Sequence, residues 1–313
     1  MWSTHRRELA LGAALLVLLA TPAFTGRGFY AASTFVGLIV DTLPVLVAAV
    51  GMTIVIVAAE IDISIAGQLA VCGVVGGVLA RAGVPMPVVI PLTVACGAAL
   101  GLANGLLVSR LAIPSIVATL AMWVILENGL LWITGGNWIQ DLPPSFQWFG
   151  FGQTGGQVVF ILIAGAVWGA FAWLMRATEF GRGFYAVGCN REAALRMRLH
   201  PERVVLTAFV ILGALMGLAS ILYYCRYPSI ETTGGRGLEL KVIASVVVGG
   251  TSISGGRGTL LGTLLGVMLL GVIGTVLTFS HVDATWERAV QGLIILVAVV
   301  SDRLFARGGA VDE

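Results

Sequence analysis

Charge is what this chain of 313 residues has least of. Asp, Glu, Lys and Arg make up 11% of it, against about 25% in an ordinary soluble domain. Lysine is nearly missing: Lys241 is the single one, and the other basic residues are all Arg. The net charge is +2 with no long block of one sign, which excludes a nucleic-acid-binding tail. The four cysteines, Cys72, Cys96, Cys189 and Cys225, stand too far apart for a zinc knuckle or a CxxC redox pair, and each reads as a small buried or interfacial residue. His5, His200 and His281 fall in separate loops, which argues against a three-His metal site. The GxSxG, HExxH and C-x-x-C-H patterns are also missing, so an enzyme reading has little to stand on. What remains is apolar. Hydrophobic residues make up 58%, with 42 Gly, and the apolar runs repeatedly approach the roughly 20 residues that cross a bilayer. The class is an all-α, polytopic transmembrane helical bundle.

Apolar length and punctuation predict about ten membrane segments: 9–24, 34–59, 61–80, 88–108, 113–133, 158–175, 204–224, 241–250, 259–279 and 289–300. The eighth and tenth are short, which suits broken or re-entrant segments shielded by protein. His5, Arg6 and Arg7 before the first run imitate a signal peptide, but Thr21-Pro22 and the aromatics that follow give no clean small-residue cleavage site. A retained first helix is expected. With the N-terminus in the cytoplasm, 12 basic residues fall inside and 6 outside, in agreement with the positive-inside rule. Both termini are then expected in the cytoplasm. The aromatics Trp138, Phe146, Trp148 and Phe149 of the longest outer loop read as an interface belt. Glycines inside the apolar runs, among them Gly97, Gly101 and Gly105, allow close helix crossings.

Three stretches carry polar chemistry. Glu60 and Asp62 interrupt long apolar runs; carboxylates there must face protein, water or a membrane edge. They read either as a functional polar break or as a turn in which Asp62 or Ser64 caps the next helix. On one helix they would diverge by roughly 200°, so they do not form a facing acid/base pair. The inner loop 176–203 is expected to hold a short helix capped by Asn190, with Ala193, Ala194, Met197 and Leu199 alternating with Arg191, Arg196 and Arg198. Such a helix on the membrane face suits a protein partner or anionic lipid equally. The run Thr251 to Thr259 has the glycine density of a phosphate cradle but lacks the terminal Gly-Lys-Ser/Thr. The chain therefore has no Walker motif and is expected to bind no cofactor itself.

Taken together, these stretches resemble the membrane-spanning permease of the ribose-type sugar ABC importers, in the branched-chain amino acid/ribose permease superfamily. Glu60 to Ser64 is similar to that family's Gly-Gly-Ile-Asp-Leu-Ser. Gly101-Leu102-Ala103-Asn104-Gly105 with Ile113 to Leu120 is similar to its Gly-Leu-x-Asn-Gly and Pro-x-Phe-Ile-x-Thr-Leu stretches. Gly188 to Leu199 resembles its ATPase-docking loop, and Val248 to Gly258 its Gly-Gly-Thr-Ser-x-x-Gly-Gly-x-Gly signature. The likeness runs from about Phe35 to Leu304. This chain departs from the pattern at Glu60 and Cys189, where Gly is common, and at Arg198, where a small residue is usual. The glutamate resembles the rhamnose or autoinducer-2 branch.

The resemblance implies one permease domain over the whole chain, paired with a second copy or a paralogue. A separate cytoplasmic ATPase would use the ATP and dock on Arg182, Gly188, Asn190, Arg191, Glu192, Ala193, Ala194, Arg196 and Arg198. An extracytoplasmic solute-binding protein would deliver a sugar such as ribose or rhamnose. Glu60, Asp62, Asn104 and Glu127 are the expected gating or pathway residues. The competing reading is an ion-coupled secondary transporter, for which Glu60, Asp62 and Glu127 would be the coupling carboxylates; it usually requires inverted repeats, and none is evident.

Overall fold

Proline and glycine set the ends of the helices. In a computed structural model, which describes residues 11–19, 29–280, 282, 286 and 288–296, a short helix α1 over 11–19 is followed by α2 at Ala32–Val57. Helix α3 (Ile65–Arg81) ends before Gly83, whose φ of 85° needs no Cβ. Pro85 then leads into α4 (Met86–Ser109), Pro114 into α5 (Ser115–Thr134), and left-handed Gly135 closes α5. Helix α6 (Gly152–Ala177) ends at Thr178, whose hydroxyl accepts from Gly181 N at 3.0 Å and so starts α7 (Glu179–Cys189). Next come α8 (Arg191–Arg196), α9 (Pro201–Tyr224), α10 (Leu238–Val248), α11 (Leu260–Phe279), capped by Thr259, and α12 over 288–296.

Six of these helices, α2, α4, α5, α6, α9 and α11, are long and apolar enough to cross a membrane. That corrects the expected ten. The 61–80 segment begins its helix only at Ile65 and reaches 17 residues, and the 241–250 segment is an 11-residue helix. Most of the 9–24 segment and part of 289–300 lie outside the described residues. The protein is an all-α, multi-pass membrane bundle.

Helix α2 is the centre of that bundle: Leu43 through Val57 is a buried run packed by α6, α9, α10 and α11. Helices α5 and α6 do the reverse and turn Val117, Ile125, Trp132 and Leu162 outward, as lipid contact demands. Helix α4 crosses α9 at close range. A Cβ on Gly97 would overlap the Gly213 carbonyl oxygen, and one on Gly101 the Phe209 carbonyl oxygen, so small residues here bring backbone against backbone.

Candidate functional site: the α2–α3 break

The chain leaves the helical conformation between α2 and α3, and it does so under a non-glycine residue. Ala59 has φ 65°, a conformation that costs an L-residue roughly 1–2 kcal/mol. Glu60 and Asp62 therefore sit on a non-helical segment, 58–64. Two of the segment's amides are taken up by α5: Ile61 N donates to Ser115 Oγ at 3.2 Å and Ile63 N to Thr119 Oγ1 at 3.1 Å. The amides of Ala58, Ala59 and Glu60 go back to carbonyls of α2, so the break leaves few backbone donors unsatisfied.

Asp62 is fully buried. Its Oδ1 accepts from Ser64 N (2.8 Å) and Ser64 Oγ (2.6 Å), and its Oδ2 from Gln68 Nε2 and Asn104 Nδ2, both at 3.0 Å. Ser64 Oγ in turn accepts from Gln68 at 2.9 Å and Asn104 at 2.7 Å. The structure thus brings together Asp62 from the break and Asn104 from α4, as two of the expected pathway residues. Asp62 holds Ser64, the residue before α3, but neither side chain caps the helix, so the expected cap is not formed. The cluster's partners Gln68, Ser115 and Thr119 were not singled out from sequence; the signal available was their i, i+4 spacing from Ser64 and from each other.

Glu60 points the other way, towards α8. Its carboxylate lies 4.0 Å from the Arg191 guanidinium and is bonded by the Ser115 hydroxyl, yet burial still raises its pKa. Glu127 does not join this cluster: it is ion-paired to Arg236 in the α9–α10 loop.

The 176–203 loop holds two helices where one was expected. Arg182 lies on α7 and is exposed beside Glu179. Asn190 caps α8 as expected, its Oδ1 accepting from Ala193 N at 2.9 Å. Helix α8 stops at Arg196, so Met197 and Leu199 are outside it, and Arg198 has φ 61°. Ala194 is buried against the bundle, while Arg191, Glu192, Ala193 and Arg196 are exposed. Gly188 joins this loop to the break: an added Cβ would overlap the Val57 carbonyl oxygen and lie 2.7 Å from Gly256 N. Gly256 N itself donates to Val57 O at 2.9 Å. The glycine-rich turn after α10, the end of α7 and the end of α2 therefore meet backbone to backbone.

Residues 34–299 match the family described as branched-chain amino acid transport system / permease component. Similar proteins include the autoinducer 2 import system permease protein LsrC of Escherichia coli O9:H4 (strain HS) and of Shigella flexneri, each 33% identical over 95% of this chain and 87% of theirs. The LsrC of Salmonella paratyphi B (strain ATCC BAA-1250 / SPB7) is 33% identical over 95% of this chain and 86% of its own. No solved structure matches the chain.

Proposed function

Because the chain belongs to the branched-chain amino acid transport system / permease component family, and works as the membrane-spanning permease of an ATP-driven importer, we propose how its parts divide the task. The cargo is a sugar or sugar-like solute, in the class that includes ribose, rhamnose and the autoinducer 2 named for its relatives. As a permease component it moves solute rather than transforming it, and ATP is used by a separate cytoplasmic ATPase. That ATPase docks on 176–203, with Arg182, Gly188, Asn190, Arg191, Glu192, Ala193, Ala194, Arg196 and Arg198 as its contact and shaping residues. A solute-binding protein delivers cargo at the opposite end, a second copy or paralogue completes the pathway, and both termini lie in the cytoplasm.

The observation that carries this reading is a pair of contacts, Gly188 of α7 on Val57 at the end of α2 and Arg191 of the exposed helix α8 beside Glu60 in the α2–α3 break. A rigid shift of α8 by an ATPase must displace the segment that Asp62, Ser64, Gln68 and Asn104 hold. That is the form of a switching element with two packings. The test is affinity isolation from gently solubilised membranes. Copurification of an ATPase, lost when Arg191, Glu192 and Arg196 are replaced by Ala, is the expected result. Isolation without an ATPase, with uptake that follows an ion gradient, would instead favour the buried carboxylates as coupling sites.

A further inference from the structure

Two of the four cysteines that lie far apart in the sequence are neighbours in the fold. Cys72 of α3 and Cys96 of α4 meet side chain to side chain, thiol against thiol. The register of the two helices puts them there. One turn further along α3, a Cβ on Gly76 would lie 3.1 Å from Oγ1 of Thr93, which is one turn earlier on α4. On the other flank Ser64 Oγ accepts from Asn104 Nδ2 at 2.7 Å. The antiparallel pair is fixed at both places, with Cys72 and Cys96 between them.

The two thiols differ in access. Cys72 is fully buried, whereas Cys96 is partly exposed. Leu92 and Ala99, one turn before and one turn after Cys96, are exposed on the same side of α4. At about 1.5 Å per residue, Cys96 lies roughly 15 Å from Met86 and roughly 20 Å from Ser109, the two ends of α4. That is near the middle of a hydrocarbon core about 30 Å thick. A reagent confined to water does not reach this depth; one dissolved in lipid does. An accessible thiol backed by a buried one is the arrangement of an attacking and a resolving cysteine.

We propose that Cys72 and Cys96 form a reversible oxidation site for a lipid-soluble organic hydroperoxide, and that the disulfide holds α3 against α4 and stops import. The Cys96 sulfur attacks the terminal oxygen of the hydroperoxide. The O–O bond breaks, the alkoxide takes the Cys96 proton and leaves as an alcohol, and Cys96 becomes a sulfenic acid. The Cys72 sulfur then attacks the Cys96 sulfur. The S–S bond forms, the S–O bond breaks, and the hydroxide leaves as water with the Cys72 proton. Two electrons pass from the thiols to the peroxide, and a dithiol reductant returns two to the disulfide. The brake rests on the reading that the α2–α3 break repacks during import. Gln68, one turn before Cys72 on α3, and Asn104 of α4 both donate to Asp62, so a covalent tie between Cys72 and Cys96 joins the two helices that hold the break.

The test uses the whole complex, permease with its ATPase and binding protein, in proteoliposomes, with cumene hydroperoxide as the oxidant. One readout is the Cys72–Cys96 disulfide by peptide mass spectrometry, and the other is ATP-driven uptake of D-ribose, L-rhamnose or autoinducer 2. With about nine-tenths of the chains linked, uptake should fall about tenfold, and dithiothreitol should restore both readouts. Cys96→Ala keeps Cys72, Cys189 and Cys225 and should lose no uptake to the oxidant; should it fail to assemble, Cys96→Ser takes its place. Dithiobis(nitrobenzoate), which stays in water, should leave the pair unlinked, and an equal disulfide yield with it would overturn the membrane route. The absence of the disulfide where the surrounding lipid is oxidised would overturn the site. A disulfide without loss of uptake, or an equal loss in the Cys96 variant, would overturn the brake. A wild-type complex that imports none of the three probes before oxidation would overturn the import reading, while the disulfide yield still judges the site.

Discussion

Two glycines on one short helix separate the cost of contact from the cost of conformation. Helix α7 carries Gly183, where an added Cβ meets nothing within 4 Å, and Gly188, where it would overlap the Val57 carbonyl and sit 2.7 Å from Gly256 N. Both have helical backbone, so Ala at either site gains helix propensity, at most about 1 kcal/mol. Only Gly188→Ala must push α7 away from α2. Ordinary Cβ contacts begin near 3.4 Å, and both obstacles are backbone atoms that no rotamer change can move aside. Overpacking of this kind costs about 1–3 kcal/mol, and the rigid partners place it in the upper half of that range. Gly183→Ala should therefore be neutral or stabilising, and Gly188→Ala less stable than it by about 2 kcal/mol. Equilibrium unfolding in mixed detergent–SDS micelles measures the difference. ATP-driven uptake should also fall more in Gly188→Ala than in Gly183→Ala, because the displaced contact is the one between α8's neighbour and the break. Stabilities within about 0.5 kcal/mol of each other would refute the close-contact argument, whatever the uptake.

Asn104→Leu removes the donors to Asp62 Oδ2 and Ser64 Oγ; with about 1.5–3 kcal/mol for a hydrogen bond to a charged acceptor, a loss of roughly 2–4 kcal/mol is expected in the same assay. A Leu variant as stable as wild type would show that α4 does not hold the break. Burial raises Glu60 above the ordinary carboxylate range, so the folded chain binds its proton more tightly than the unfolded chain does. The resulting stability is complete below the ordinary glutamate value and is lost as pH rises through the raised one. Glu60→Gln should flatten that slope in a pH series of unfolding curves; an unaltered slope would refute the assignment to Glu60.

Elements with a single dominant cause were legible in the sequence. The long apolar runs of α2, α4, α6 and α9 gave spans within a few residues, and Asn190 announced α8 because an amide three residues ahead of an exposed amide is a local signal. The break was legible as a place, through two carboxylates in apolar surroundings, but not as a geometry. Its non-helical backbone gives two amides to Ser115 and Thr119 of α5, far away in the chain, which no local pattern reveals. Glu127 was grouped with Asp62 only because both are acids among apolar residues; its partner Arg236 is set by the fold of the α9–α10 loop. The count of ten failed for a related reason. Hydropathy measures apolar length, whereas the break delays the start of α3 to Ile65 and α10 ends at the Gly249-Gly250 turn.

Pro44 inside α2 explains why an arginine is tolerated near the apolar core. A proline has no N–H for the carbonyl four residues earlier, here that of buried Val40. Arg226 supplies the missing donor: its Nη1 reaches Val40 O at 3.3 Å while Nη2 pairs with Asp41. The guanidinium is held from below by the Tyr227 ring, 5.4 Å from its centroid. Asp41 is 64% exposed on its side chain, so its ion pair contributes only about 0–1 kcal/mol. The carbonyl is a different matter, since a buried polar group left without a partner costs about 1–3 kcal/mol. Arg226→Met should then destabilise chiefly through Val40 O. In a Pro44→Ala background the restored backbone amide takes that carbonyl, and Arg226→Met should cost only what the Asp41 pair provides. The double-mutant cycle is expected to give a coupling of about 1–2 kcal/mol. Additivity within about 0.5 kcal/mol, the behaviour of independent sites, would mean that Arg226 serves Asp41 alone and that α2 carries its proline without help.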